Sequence, residues 1–354
     1  MSNIIALNAP PRRQRLRERT PALVECFARQ RRIPDDVFWL KENAELLNIL
    51  ECTGQNLSAL DLEPHSAFYA QLSERLTFFP QYYRFLLSIG LDLEDLGMPG
   101  NQMEQLCAWV GAQGLIEAEL SDLQRAEARR LLSRRGVSPG VVDSHLDARL
   151  RAFINRPETF ALPNKKAAYE LTHIVFYLSE YGRRDPQLDA KALVSLEYAG
   201  ILAHLEQNMD LLAEICVALR QAGAQPSPIW EDAVRANLSE FKIVADDQTT
   251  LSDHYHEYLV STWAMVAAGA DDTGRALPVG RCVFVQPDGA VPALRAMSAT
   301  LMSLAQARSG DWAQMEASVL DMLDEDAAQT LQRTIASSPA FAGFFEVFAR
   351  ATSL

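Results

Sequence analysis

The stretch SLEYAGILAHLEQN, residues 195–208, repeats apolar side chains with the period of an α-helix. At about 100° per residue, it joins the preceding residues to place Leu193, Val194, Ile201 and Leu205 on one apolar arc. The same periodicity recurs along almost the whole chain from residue 36 onward. The sequence therefore predicts an all-α fold.

The helical segments end at glycine- and proline-containing stretches such as LGMPG, RRGVSPG and AGAQPSP, as helices commonly do. We predict thirteen or more helices in a single large domain over residues 31–354, either an α/α toroid or an irregular multi-helix bundle. One of these helices covers 187–222 with a break near residue 205. The one β-like stretch is RCVFVQPDG, residues 281–289, which we interpret as a short hairpin or an extended plug.

The composition of the 354 residues limits the function classes. With 33 Lys and Arg against 46 Asp and Glu, the net charge is −13, which disfavours nucleic acids and anionic membranes as partners. The five cysteines are scattered, so neither a disulfide framework nor a structural zinc site is expected. The N-terminal sequence lacks the apolar core of a secretory signal, and no stretch reaches the length of a membrane span. We expect a cytoplasmic protein.

Residues 1–30 form a separate unit in this interpretation, an arginine-rich arm leading into a first helix. Eight arginines lie between residues 12 and 32, against two glutamates. We expect a solvated arm; the alternative is an arm that binds an anion or a partner.

Two polar residues of the opening stretch, Glu197 and His204, fall inside its apolar arc. Charged side chains are almost never fully buried unless they are paired or bound. Gly200 lies between them and would allow a backbone or a ligand to approach closely. The two side chains form either a structural hydrogen-bond network or a metal or acid–base site.

The same geometric test selects polar residues on other helices. In DDVFWLKENAELLNILEC, Glu42 projects onto the apolar face and Glu45 points away from it. Asp92 lies on the apolar face of PQYYRFLLSIGLDLEDLG, and His256 lies near the centre of the arc of SDHYHEYLVSTWAMVAAG. Each of them is either a satisfied core residue or part of a cavity lining.

Glu170 and His173 form a Glu-x-x-His pair on one side of a predicted helix. Such a pair is half of the carboxylate-bridged di-iron signature of four-helix bundles. The signature requires a second Glu-x-x-His, and the sequence has none in a convincing helix. A solvent-exposed stripe is the alternative.

Because unpaired burial of so many polar groups would cost a few kcal/mol each, we expect them to converge on one internal cavity. The leading hypothesis is an enzyme acting on a small molecule, with Fe, Mn or Zn as candidate ions. The alternative is a non-catalytic helical scaffold that binds a protein partner. The predicted catalytic residues are Glu197, Asp92 and Glu42, and the predicted metal ligands are Glu197, His204, His256, Glu170 and His173.

Three segments resemble an uncharacterised bacterial domain family of unknown function: DDVFWLKENAELLNILECTG (35–54), FFPQYYRFLLSIGLDLEDLGMPG (78–100) and ELTHIVFYLSEYG (170–182). The resemblance extends over most of the chain from about residue 30. It implies one continuous helical domain and no particular activity.

Overall fold

The computed structural model describes residues 13–248, 252–270 and 274–351. These residues form a helical domain, which confirms the predicted all-α class. Single turns of π- or 3₁₀-helix adjoin several of the helices. The α-helices are α1 (Leu16–Glu25), α2 (Val37–Cys52), α3 (Ala59–Leu62), α4 (Ser66–Ala70), α5 (Leu72–Phe78), α6 (Tyr83–Asp95), α7 (Gln102–Ala112), α8 (Asp122–Ser133), α9 (Leu146–Ile154), α10 (Pro157–Phe160), α11 (Lys165–Leu178), α12 (Ala190–Glu206), α13 (Met209–Gln221), α14 (Pro228–Glu240), α15 (Tyr255–Ala267), α16 (Leu294–Leu304), α17 (Trp312–Leu320), α18 (Glu325–Ser337) and α19 (Phe341–Phe348).

The central helix of the fold is α13, which packs against α11, α12, α14 and α15. Its residues from Leu211 to Leu219 are all buried, as expected for a helix that is surrounded by others. The helix begins where the side chain of Asn208 accepts a hydrogen bond from the backbone N–H of Leu211 at 3.2 Å. This arrangement is an irregular bundle.

The break between α12 and α13 lies at Gln207 and Asn208, close to the predicted position. Gln207 has φ +55°, in the left-handed region that ends many helices. The helical phase of α12 therefore does not continue into α13. A helical wheel drawn through both segments misplaces the residues of the second.

Two pairs of short strands complete the described fold. β4 (Cys282–Val285) confirms the β-like stretch, but its antiparallel partner is β2 (Lys242–Ala245), so the two do not form a local hairpin. β1 (Arg13–Gln14) pairs with β3 (Gly274–Arg275). These pairs connect the ends of α14 and α1 to the segments around α15.

The N-terminal segment packs into the fold from Arg13 onward, in contrast to the solvated arm expected from its charge. Leu16, Leu23 and Phe27 are buried in the core. Arg19 is also buried and donates a hydrogen bond to the hydroxyl of Tyr258 on α15. Residues 1–12 of the predicted arm lie outside the described residues.

No helix in the described ranges combines the length and the apolar character that crossing a lipid bilayer requires.

Candidate metal centre

Four helices bring polar side chains to one place beside the central helix. α13 contributes Asp210 and Glu214, which lie one turn apart and share a face. α15 contributes His256, α2 contributes Glu45 and α11 contributes His173. Because α13 packs on α11 and α15, and α15 packs on α2, the position of each side chain is fixed by helix packing.

Asp210, Glu214 and His256 form the group with metal-ligand geometry among the described residues. One ligand atom from each lies within 4.8 Å of the other two. Nε2 of His256 is 3.4 Å from Oδ1 of Asp210 and 3.6 Å from Oε1 of Glu214. Oδ1 of Asp210 is buried and accepts no hydrogen bond from any described residue. A buried carboxylate oxygen without a donor is the kind of atom that a cation satisfies.

The second polar atom of each of these three side chains forms a hydrogen bond with a side chain on a neighbouring helix. Nδ1 of His256 donates to Oε2 of Glu45 at 3.2 Å. The hydroxyl of Tyr169 donates to Oδ2 of Asp210 at 2.7 Å, and the hydroxyl of Thr172 donates to Oε2 of Glu214 at 2.5 Å. Metal-binding histidines commonly have such a carboxylate on their other nitrogen. The outer contacts thus orient Nε2, Oδ1 and Oε1 toward one another.

The electrostatics of the cluster would suit a bound cation. Burial opposes protonation of His256, but the carboxylates of Glu45, Glu214 and Asp210 outweigh it and raise the pKa of His256 well above its ordinary value. Burial raises the pKa of Asp210, against the opposing effect of His256. The imidazolium therefore supplies the positive charge that the carboxylates need, and a metal ion would replace its Nε2 proton.

His173 lies at the edge of this cluster. Its Nδ1 donates to the backbone carbonyl of Tyr169 at 2.8 Å and is 3.7 Å from Oε2 of Glu214. The ring also contacts the rings of Phe176 and Tyr177. The side chain is about one-third exposed, at 36%. It flanks the site without joining the three converging ligand atoms.

The structure gives Glu197 and His204 partners near the C-terminus rather than His256. Glu197 accepts a hydrogen bond from the hydroxyl of Ser338 at 2.7 Å. His204 is buried, and its Nδ1 bonds to Oγ1 of Thr334 at 2.6 Å. The hydroxyl of Thr334 donates in turn to a backbone carbonyl on α18, so His204 is the donor in this pair. These contacts satisfy both side chains locally.

Gly200, between them, is close to the indole of Trp230. A Cβ at position 200 would lie 2.5 Å from the Trp230 ring. The close neighbour at this glycine is therefore a core side chain, in place of the backbone or ligand expected from the sequence.

The other predicted residues pair with cations. Buried Glu42 binds Arg31 at 2.8 Å and Arg32 at 2.6 Å. Buried Asp92 accepts from Arg134 at 2.7 Å. Such buried pairs are costly to disrupt and need no ligand.

Glu170 is half-buried and 3.9 Å from Lys166 of the same helix. This is the geometry of a helix-surface pair rather than of a metal ligand. Of the five predicted metal ligands, the structure brings His256 into the three-residue group and His173 to its edge.

Three residues of the cluster are absent from the sequence-based prediction. Glu45 is expected to point away from the apolar face, yet its carboxylate contacts His256. Asp210 and Glu214 form a pair four residues apart, and Glu214 interrupts the apolar run LLAEICVAL. When the helical wheel is drawn for α13 alone, that interruption identifies Glu214 as a polar residue on a buried helix.

A family model described as a domain of unknown function (DUF6902) matches residues 1–351. The chain belongs to this family, which confirms the predicted membership in a family of unknown function; the match also includes the N-terminal thirty residues. No curated protein and no solved structure matches the chain significantly.

Proposed function

We propose that this member of the family is a metal-dependent enzyme whose ion is bound by Asp210, Glu214 and His256. The observation that carries the proposal is that the two polar atoms of each of these side chains have different surroundings. One atom of each is held by Glu45, Tyr169 or Thr172, and the other faces the common point. In the metal-free protein this orientation pairs the imidazolium with both carboxylates, and a bound cation would take the place of its Nε2 proton.

The donor set indicates which ion would bind. Carboxylates favour Mn²⁺ and Mg²⁺, whereas imidazole favours Fe, Zn and other transition metals. Two carboxylates and one imidazole together suit Mn²⁺ or Fe²⁺, with Zn²⁺ next. Three protein ligands leave coordination positions for water and substrate, as in catalytic sites. The ion would polarise a substrate or activate a bound water.

Solvent access supports a small-molecule substrate. The side chain of His256 is 31% exposed and that of Asp210 is 20% exposed, whereas Glu214 is 2% exposed. One side of the group is thus embedded in the bundle and the other can be reached from solvent. A sealed structural metal site would have no exposed ligand.

The direct test is metal content. The protein purified without chelators should hold Mn, Fe or Zn by elemental analysis, and the metal-free protein should rebind it in calorimetric titrations. Asp210→Asn and His256→Gln should lose most of the ion. Glu197→Gln and His204→Gln are matched controls that should retain it. A wild-type protein that neither holds nor rebinds any of the three ions would disprove the proposal.

The scaffold hypothesis is supported by a different feature, an apolar surface at the start of α2. Val37 and Phe79 line a groove of about 140 Å³ there, and Phe38 and Phe78, which adjoin them in the sequence, are exposed as well. Clustered exposed aromatic residues are typical of protein contacts. If the metal titrations fail, a protein-binding scaffold becomes the leading function.

We also propose a cytoplasmic location and no nucleic-acid partner. The net charge of −13 supports the second statement, and five cysteines without disulfides support the first. Cell fractionation and a binding titration with duplex DNA at low salt test them.

A further inference from the structure

A second site is suggested by a surface pocket of about 270 Å³, formed by α14, the turn between α12 and α13, the loop after β4, and α18. This volume is slightly below the lower limit, about 300 Å³, of pockets for drug-sized ligands. The pocket therefore suits a molecule of amino-acid size. Its lining is largely distinct from the metal centre, and the inference does not depend on the proposed function.

Two amide side chains of the pocket have a fixed orientation. Asn237 donates through Nδ2 to Oε1 of Glu257 at 2.7 Å, and Gln286 donates through Nε2 to the same oxygen at 3.2 Å. Because both nitrogens are directed to Glu257, the amide oxygens remain to accept hydrogen bonds from a ligand. Glu240 and Asp288 also line the pocket. Oxygen acceptors and carboxylates together favour an ammonium group.

The pocket also has a positively charged side chain in its lining. Arg333 lines it and is exposed, and among the residues that the structure describes it has no ion-pair partner. Glu240 and Asp288 are likewise without an ion-pair partner within the described ranges. A guanidinium group binds a carboxylate through two parallel hydrogen bonds. Met209 and Ala233 also line the pocket and contribute apolar surface to it.

We infer that this pocket binds a small zwitterion of the α-amino-acid class. The ligand's ammonium group contacts the amide oxygens of Asn237 and Gln286 and the nearby carboxylates. Its carboxylate binds Arg333, and an aliphatic side chain packs on Met209.

The test uses free amino acids as probes. Saturation-transfer NMR with each of the protein amino acids at millimolar concentration identifies the tightest binder. Calorimetry then compares that amino acid with the amine that lacks its carboxylate and with the acid that lacks its amine. The zwitterion should bind at least about tenfold more tightly than the amine or the acid, because each of those two compounds lacks one of the charged contacts.

Variants locate the site. Arg333→Gln should weaken the amino acid about tenfold and leave the amine unchanged, whereas Arg295→Gln, an exposed arginine outside the pocket, should have no effect. Amino acids also chelate metal ions, so Asp210→Asn is titrated in parallel and should bind normally. The inference is overturned if no amino acid binds, if the amine equals the amino acid, if the two arginine variants behave alike, or if Asp210→Asn abolishes binding.

Discussion

Glu45 and His256 are hydrogen-bonded at 3.2 Å although 211 residues of chain separate them. The bond fixes the imidazole ring so that Nε2 faces Asp210 and Glu214. Glu45 thereby sets the direction in which His256 would present Nε2 to the proposed metal ion.

Replacing Glu45 with Gln should lower metal affinity by roughly 10- to 100-fold, the usual effect of losing an outer carboxylate. Competition titrations against a chelator measure the change. Glu170→Gln is the matched control, since Lys166 is the ion-pair partner that the described residues give Glu170. Equal affinities for the two variants would show that Glu45 does not orient the ligand.

The stability of the metal-free protein should depend on His256 at neutral to alkaline pH. Its pKa is raised in the folded state, while the unfolded value is about 6.5. The protonated imidazole therefore stabilises the fold fully below pH 6.5, and this contribution is lost as the pH rises through the folded pKa. Denaturant unfolding of wild type and His256→Gln from pH 6 upward measures it.

Metal binding near neutral pH should release a proton from His256, because the ion and the proton compete for Nε2. Titrations in two buffers of different ionisation enthalpy detect that proton. A metal-binding enthalpy that is independent of the buffer contradicts the assignment.

His204 should change the pH dependence of stability in the opposite direction, because its pKa is lowered in the folded state. Burial, assisted by the charge of Arg333, lowers the pKa of His204 to about 4. The unfolded chain takes up the proton near pH 6.5, so stability should fall between pH 6.5 and 4 by up to about 3 kcal/mol. His204→Gln should remove this part of the acid dependence, whereas His145→Gln, an exposed histidine, should keep it. Metal content should be unaffected by either change.

Gly200→Ala should destabilise the fold by about 1–3 kcal/mol, the usual cost of overpacking a core. The new Cβ would lie 2.5 Å from the ring of Trp230, whose Nε1 is held by Ser337 at 2.8 Å. Gly289→Ala is the control, because nothing lies within 4 Å of a Cβ there. Urea midpoints of both variants test the difference.

The sequence predicts the helices well because apolar periodicity reports burial directly. It predicts which side of a helix is buried, and His256 and Glu42 are found accordingly in protein-facing positions. It does not predict which neighbour a buried polar residue meets. Glu197 and His204 face α18 and its end, which supply hydroxyl groups, whereas His256 faces the acidic turn of α13.

There is also a physical reason why the carboxylates of this cluster are absent from the sequence-based prediction. Gln207 adopts a left-handed conformation, so Glu214 cannot be placed by extending the phase of α12. His256 contacts Glu45 because α15 packs across α2, and these two helices are far apart in the sequence. Neither effect is visible in the local pattern of one helix.

The dependence of the N-terminal segment on α15 and the strands has a consequence for folding during synthesis. Arg31 pairs with Asp253, 222 residues later, and Arg19 pairs with Tyr258, 239 residues later. Contacts of such high sequence separation form slowly, because a long loop must close before they contribute. A ribosome that has made Arg19 and Arg31 must therefore translate more than half of the chain before Asp253 and Tyr258 emerge. Until then, α2 can already pack on α6, but the surface of α2 that α15 later covers is accessible to chaperones.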